Sequence, residues 1–306
     1  MNSQPSPNDH SPARRLGALS DAIPAPLIFV GSGICQYSGS AIGVAVLLAA
    51  MPGYVAAWWR VLVGALVVLA WVRPWRSRWT WSQVGTSALF GLAITGMNMT
   101  FYEAIDRIPM GTAVSIEFIG PVGVALIMGG GWRTRVGALA TAAGVVSIGG
   151  FGLDLADPTQ AWGMAWAVAA GLLWATYIVM GTTIAHRRSG VDSLAVGLAT
   201  GALVTTPLVA PHIGDLNTVP LALAALAVGI LASALPFPLE QIAMKRMGAD
   251  LYSLMAAILP ATSVVVAALA LRQIPSGGEI VGICLVTAGI ILVSYRPGVL
   301  RHRHPH

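Results

Sequence analysis

The chain has 306 residues, of which 56% are hydrophobic and only 9% are charged, with 17 Lys and Arg against 12 Asp and Glu. Soluble domains carry about 25% charged residues, so this composition excludes a soluble globular protein. The net charge of +5 does not indicate nucleic-acid binding, because the basic residues form short clusters between apolar runs and not one basic face. A lipid bilayer is therefore the predicted surrounding of most of the surface.

The chain begins with a polar segment that is rich in proline and serine, residues 1–24, which predicts a disordered tail. No small-residue cleavage site follows a short apolar core, so the first apolar run is expected to remain as an anchor. Ten apolar runs follow, each about as long as a helix that crosses the bilayer core. They occupy 25–48, 53–72, 83–102, 109–129, 135–153, 161–184, 192–211, 219–242, 250–270 and 279–295.

The apolar runs are continuous, whereas membrane β-barrels need strands of about ten residues with alternating polarity. Helices satisfy every backbone hydrogen bond within one run, so the predicted fold class is an all-α integral membrane protein of ten transmembrane helices. The chain then ends in a basic tail at 297–306.

Lys and Arg near the ends of the runs predict the orientation, because cytoplasmic connectors carry an excess of both. With the N-terminus in the cytoplasm, the outer connectors hold only Arg107 and Arg272. Nearly all other basic residues fall on the cytoplasmic side. We therefore expect both termini to be cytoplasmic, in a multi-pass protein of the inner membrane.

An internal repeat divides the apolar region. Ala104-Ile105-Asp106-Arg107 precedes Pro121 as Ala243-Met244-Lys245-Arg246 precedes Pro260, with the same offset from the alanine to the proline. The fifth and tenth runs share a second pattern, GALATAAG at 137–144 and GICLVTAG at 282–289. Two halves of five helices are predicted, 25–155 and 156–296. Because five is odd, the second half enters the membrane from the opposite side, which gives an inverted repeat typical of secondary transporters.

Three charged residues lie inside predicted spans: Arg60, Glu117 and Glu240. A charge at this depth costs free energy and indicates function or pairing. Pro121 lies four residues after Glu117, so the carbonyl of Glu117 loses its helical partner and a kink is expected there. A carboxylate and a free carbonyl at one level favour a cation or ammonium site. The alternative is an ion pair between Glu117 and Arg60, which lie at similar depths.

Glu240 follows Pro236 by one turn, and Pro236 and Pro238 are expected to free the carbonyls of residues 232 and 234. Pro260 predicts a further kink in the ninth span. Glu240 also lies near the cytoplasmic boundary, where snorkelling toward the interface is the alternative to a role in binding.

Neutral polar and aromatic side chains at helical spacing complete the candidate site, because residues three or four apart share a helix face. An amino acid would pair its ammonium with a carboxylate, its carboxylate with an amide donor and its side chain with an aromatic wall. Helix–helix hydrogen bonding or packing is the alternative for each of them. The candidates are Gln36, Asn98, Tyr102, Trp174 and Tyr177.

Several of these segments resemble the ten-helix branch of the drug/metabolite transporter superfamily, whose halves are EamA-like domains. The stretches closest to its threonine and homoserine exporters are Gly96-Met97-Asn98 through Phe101-Tyr102, Glu117-Phe118 with Gly120-Pro121, Trp174-Ala175 with Tyr177, and Ser233-Ala234-Leu235-Pro236 leading to Leu239-Glu240. The resemblance implies a gradient-linked exporter of small metabolites, most closely amino acids, with protons as the candidate coupling ion and no cofactor. It fits a monomer or a homodimer.

Other function classes fit the residues less well. A drug exporter or another permease of the same superfamily remains the nearest alternative. An intramembrane enzyme would need a nucleophile and a base together, yet none of the six histidines falls in a predicted span. A phosphate-bearing substrate would need several intramembrane cations, and only Arg60 qualifies. Cys35 and Cys284 lie in apolar runs and form no metal-binding pattern, and no nucleotide-binding loop is present.

Overall fold

The structure is a computed structural model that describes residues 23–128, 131–147, 153–154, 156–187, 190–243, 246 and 259–294. Every regular element within these ranges is helical, as the apolar runs predict. We number ten helices in chain order: α1 Ala25–Ile42, α2 Gly53–Val72, α3 Trp81–Ile105, α4 in two segments, Met110–Glu117 and Ile119–Met128, α5 Trp132–Ser147, α6 Pro158–Arg187, α7 Gly190–Val209, α8 beginning with Val219–Gly229, α9 Leu259–Leu271 and α10 Gly277–Ser294.

In the described part of the chain, six helical stretches are long and apolar enough to cross a membrane, and they correspond to α1, α2, α3, α6, α7 and α8. Four shorter apolar helices correspond to α4, α5, α9 and α10. The ten predicted runs and the ten helices therefore coincide in order. Of the predicted tails, 1–24 and 297–306, only residues 23 and 24 are described, and the start of the ninth predicted run also lies outside the described residues.

The helices begin where the local sequence favours a start. Thr80 caps α3 through a capping box, in which its hydroxyl accepts from the backbone of Gln83 and the Gln83 side chain accepts from the backbone of Thr80. Proline opens α2 and α4 at Pro52 and Pro109, where a missing N–H costs nothing because first-turn donors have no helical partner. These starts fix where α2, α3 and α4 begin in the sequence.

Glycines allow the helices to cross at close range. A methyl group on Gly91 of α3 would lie 1.8 Å from the carbonyl oxygen of Gly197 in α7, and one on Gly201 would lie 2.0 Å from the hydroxyl of Thr95. Helix α8 meets α2 in the same way. A methyl on Gly64 would lie 2.6 Å from the Ser233 Cβ. Backbone-to-backbone packing of this kind is the usual basis of membrane helix association.

Helices α5 and α10 pack antiparallel along the two glycine-flanked patterns that the sequence repeats. A methyl on Gly144 would lie 2.7 Å from the carbonyl oxygen of Gly282, and a methyl on Gly289 would lie 2.5 Å from that of Gly137. The end of one pattern therefore meets the start of the other, twice.

Within the described ranges, three helices depart from regular α-geometry. Helix α1 passes into a π-helical turn at Gly43–Leu47, and α8 does so at Ile230–Ala234 before continuing to residue 243. Helix α4 is interrupted at Phe118. The breaks in α4 and α8 lie just before Pro121 and Pro236, where proline removes a backbone donor. Any kink at Pro260 depends on residues before 259, which lie outside the described ranges.

Candidate functional site

The irregular turn of α8 is joined to α2 by the guanidinium group of Arg60. This side chain is 1% exposed. It donates from Nη2 to the carbonyl oxygen of Ala232 at 2.7 Å and from Nε to the hydroxyl of Ser233 at 3.1 Å. A longer contact of 3.5 Å joins Nη1 to the hydroxyl of Ser40 in α1. Pro236 has no N–H to offer the Ala232 carbonyl, so Arg60 supplies the missing donor.

Two aromatic rings complete the surroundings of Arg60. Its Cζ lies 5.5 Å from the centre of the Tyr102 ring and 6.0 Å from the centre of the Phe237 ring. Aromatic faces stabilise a desolvated cation because their quadrupole is negative. The guanidinium is therefore held by two hydroxyl groups, a carbonyl and two rings, and each of its three nitrogens donates to a protein group.

Both intramembrane carboxylates lie in the field of this cation. Glu117 and Glu240 are each 8% exposed, and Arg60 is the charged group that acts on both. In the described part of the chain, no ion pair joins Arg60 to either carboxylate, and no hydrogen bond to either side chain is formed. The predicted alternative, a direct Glu117–Arg60 pair, is thus not the arrangement found. Glu240 is buried, so it does not snorkel.

Tyr37 of α1 belongs to the same cluster and is not among the predicted candidates, which include its neighbour Gln36. The side chain is 4% exposed. Glu117, Glu240 and Arg60 all act electrostatically on its hydroxyl. The sequence feature that indicates such a role is a tyrosine in the middle of an apolar run, since its hydroxyl needs a polar partner when it is buried. We call Arg60, Glu117, Glu240 and Tyr37 the charged cluster.

Tyr102 lies beside the cluster on the face of α3 that meets α1. Its ring packs on Arg60, and its hydroxyl lies near Ser40 and Arg60. No well-formed hydrogen bond reaches this buried hydroxyl from the described residues. A methyl group on Gly43 would lie 2.8 Å from it, so the phenol rests directly on the α1 backbone.

The remaining predicted residues divide into two groups. Asn98 is buried, but its amide donates to the carbonyl of Ile94 one turn earlier in its own helix, at 2.8 Å. Gln36 is half-buried on α1, adjacent to Tyr37. Neither forms a hydrogen bond to the charged cluster. For Asn98 the helix-internal bond is the contact that the structure records.

Trp174 and Tyr177 of α6 line the other side of the bundle centre. The Trp174 ring meets Phe118, at the break in α4, edge-on with 4.8 Å between centres. Tyr177 stacks on Phe90 at 5.2 Å. Its hydroxyl accepts from the amide of Gln241 at 3.0 Å, next to Glu240 in the chain. These two side chains form aromatic walls close to the two carboxylates.

A second polar region lies where α1, α3 and α9 end, which we call the Arg107 end. An open depression of about 450 Å³ lies there. The carboxylate of Glu103 pairs with Arg107, a lining residue of this depression, at 2.6 Å and accepts a hydrogen bond from the backbone N–H of Tyr54 at 2.8 Å. Glu279 at the start of α10 is 4% exposed and bonds to the Thr112 hydroxyl. The depression is lined by Val44, Leu48, Ala49, Ile105, Asp106, Arg107, Ile108, Pro109 and Gln273.

The charges of the cluster determine which ligand it can bind. Arg60 is committed to protein groups, whereas the two carboxylates have no hydrogen-bond partner among the described residues. One guanidinium balances only one carboxylate, so the second needs a proton or a bound cation in a medium of low dielectric. The arrangement therefore favours a cationic group over an anionic one.

Comparison with known proteins finds one matching family and several similar exporters. The EamA-like transporter family matches residues 161–295. The chain is 31% identical to the threonine/homoserine exporter RhtA of Salmonella typhimurium over 233 residues, 75% of this chain and 77% of that protein. It is also 31% identical to the exporter of the same name from Escherichia coli K12 over 247 residues, covering 79% and 81%.

A solved structure titled "Crystal structure of protein" superposes with a TM-score of 0.58 and 23% identity, covering 88% of this chain and 95% of the other. That likeness shows the fold alone. The identity of 31% to the exporters over more than three quarters of their length, together with the family match, shows the family. This chain is a helical membrane protein that belongs to the EamA-like transporter family, within the drug/metabolite transporter superfamily.

Proposed function

We propose that this protein is a secondary-active exporter of small amphiphilic metabolites in the inner membrane, with amino acids such as threonine and homoserine as the leading substrates. The observation that carries the proposal is the pair of buried carboxylates, Glu117 and Glu240, in the field of one guanidinium that already bonds to protein groups. An ammonium group supplies the charge that this cluster needs. The names of the exporter relatives support the substrate class.

Coupling follows from the same charge balance. An empty cluster takes up a proton, because two carboxylates and one guanidinium leave one negative charge in a desolvated place. A bound ammonium replaces that proton, so substrate and proton exclude one another. Alternating exposure of the cluster to the two sides of the membrane then exchanges protons for substrate without ATP and without chemistry on the substrate.

The two halves, 25–155 and 156–296, are proposed to be inverted repeats that rock about this cluster. The family match at 161–295 coincides with the second half. Packing supports the relation: Gly91 and Thr95 of α3 meet Gly197 and Gly201 of α7, each pair four residues apart, and Gly229 and Ser233 of α8 meet residues 60 and 64 of α2 with the same spacing. We propose that the Arg107 end faces outward and that both termini are cytoplasmic.

The decisive variant is Glu117→Gln, which keeps the shape of the side chain and removes its charge. Purified protein in proteoliposomes is expected to lose proton-coupled uptake of threonine or homoserine at least several-fold, with unchanged yield. Asp215→Asn serves as the matched control, because this carboxylate lies outside the helices that carry the cluster. Normal proton-dependent transport by the Glu117 variant would contradict the assignment.

Substrate identity has its own test. Cells that overproduce the protein are expected to tolerate inhibitory concentrations of threonine or homoserine better than cells that produce the Glu117→Gln variant. If only aromatic drugs or other amino acids are carried, the exporter function is retained and the assignment to threonine and homoserine is overturned. Reporter fusions after residues 50 and 188 test orientation. An outer-side signal at 188 would overturn it.

A further inference from the structure

We propose that Tyr102 is the gate between the charged cluster and the depression at the Arg107 end, and that Gly43 in the π-helical turn of α1 is the seat on which this gate closes. The inference rests on the proposed transport function, because it assigns a barrier to the same route. It concerns a residue that the cluster itself does not need for its charge balance.

The first observation is the position of the Tyr102 ring. The side chain is fully buried, and one face of the ring covers the guanidinium of Arg60 with 5.5 Å between Cζ and the ring centre. Its far edge touches α1: a methyl on Gly43 would lie 2.8 Å from the hydroxyl and 3.0 Å from Cε1. Any larger residue at position 43 would displace the ring, so glycine permits the closed contact.

The second observation is what lies on the other side of that contact. Val44 and Leu48 of the α1 segment that includes the seat line the open depression, and so does Ile105, one helical turn beyond Tyr102. The depression measures about 450 Å³, within the range of about 300–1,000 Å³ typical of small-molecule sites. The two segments that form the contact therefore separate the buried cation from a space open to the surroundings.

The third observation is that packing, and no hydrogen bond of good geometry, holds the ring. The buried Tyr102 hydroxyl lies close to Ser40 and Arg60 but forms no well-formed hydrogen bond with the described residues. Such a group is better satisfied if it turns toward water. The seat is part of a π-helical turn, Gly43–Leu47, a geometry that carries one extra residue per turn and is frequent at functional sites. Rotation of the phenol into the depression would open the route.

Thiol labelling tests the gate without any substrate. Ser40→Cys, made in a chain whose Cys35 and Cys284 are replaced by serine, places the reporter beside Arg60 on the closed side of Tyr102. A membrane-impermeant methanethiosulfonate reagent is added to spheroplasts, which expose the outer face. The reporter is expected to react slowly with Tyr102 present and at least several-fold faster in Tyr102→Ala. Tyr102→Phe keeps the ring and is expected to match the parent.

A second pair of variants keeps the test valid if Tyr102→Ala does not fold. Gly43→Ala is expected to displace the Tyr102 ring and to speed labelling. Adding Tyr102→Phe to Gly43→Ala removes the hydroxyl, which is the atom nearest the new methyl, and should slow labelling again. Equal labelling rates in the parent, Tyr102→Ala and Gly43→Ala would overturn the gate. Because no substrate is used, a failure of the threonine and homoserine assignment leaves this result unaffected.

Discussion

Arg60→Lys tests whether the guanidinium anchors the broken turn of α8 or merely supplies charge. Lysine keeps the positive charge near both carboxylates, but a single ammonium does not reproduce the planar fork that reaches Ala232 and Ser233 together. If charge alone mattered, the substitution would be nearly neutral. If the anchoring matters, the folded state loses hydrogen bonds that no other group replaces.

The size of the loss follows from the contacts. An unpaired buried carbonyl at Ala232 costs about 1–3 kcal/mol, and the bond to Ser233 contributes about 0.6 kcal/mol, the average between membrane helices. A total of about 1.6–3.6 kcal/mol corresponds to a decrease of roughly 3–14 °C in Tm, at about 2–4 °C per kcal/mol, the value for chains of 150–250 residues.

The assay is thermal unfolding of detergent-solubilised protein. Arg76→Lys provides the matched control, because Arg76 is exposed in the connector after α2 and its substitution is expected to leave Tm unchanged. Ser233→Ala should lower Tm slightly and should cost less in the Arg60→Lys background than alone, since the bond is already lost. A Tm for Arg60→Lys equal to that of the parent would refute the anchoring role.

Two further predictions use other parts of the bundle. Gly91→Ala should strongly reduce the yield of folded protein, because its methyl would lie 1.8 Å from the carbonyl oxygen of Gly197. Gly85→Ala is the control, since open space surrounds that position. Size-exclusion profiles compare the two variants, and equal profiles would contradict the close crossing of α3 and α7. Burial raises the pKa of Asp106 above its ordinary value, although Arg107 lowers it, so folding disfavours the charged form. The folded protein therefore loses stability as the pH rises through the pKa of Asp106 in the folded state. Asp106→Asn should raise Tm at neutral pH, and this gain should shrink as the pH is lowered. Measurements of Tm across the acid range check the trend.

The sequence by itself determined the number, order and approximate bounds of the helices. Backbone groups in lipid must be satisfied within the segment, and a helix needs a long apolar run to do so, so hydrophobicity along the chain is nearly sufficient information. Pro121 and Pro236 likewise marked the breaks in α4 and α8, because a missing N–H acts within one helical turn. The three intramembrane charges were identified for the same local reason: each is costly wherever it lies at that depth.

Tertiary structure alone decided which partner each of these groups finds. Depth along a helix follows from counting residues, but the direction in which a side chain points around the bundle depends on how all ten helices pack. Arg60 and Glu117 lie at similar depths in their predicted spans, yet the guanidinium contacts Ala232 of α8 and Ser40 of α1. These two residues are 172 and 20 positions from Arg60 in the chain. Tyr37 joins the cluster and Asn98 bonds within its own helix for the same reason: a rotation of one helix by a single residue, about 100°, exchanges a group that faces the centre for one that faces a neighbour.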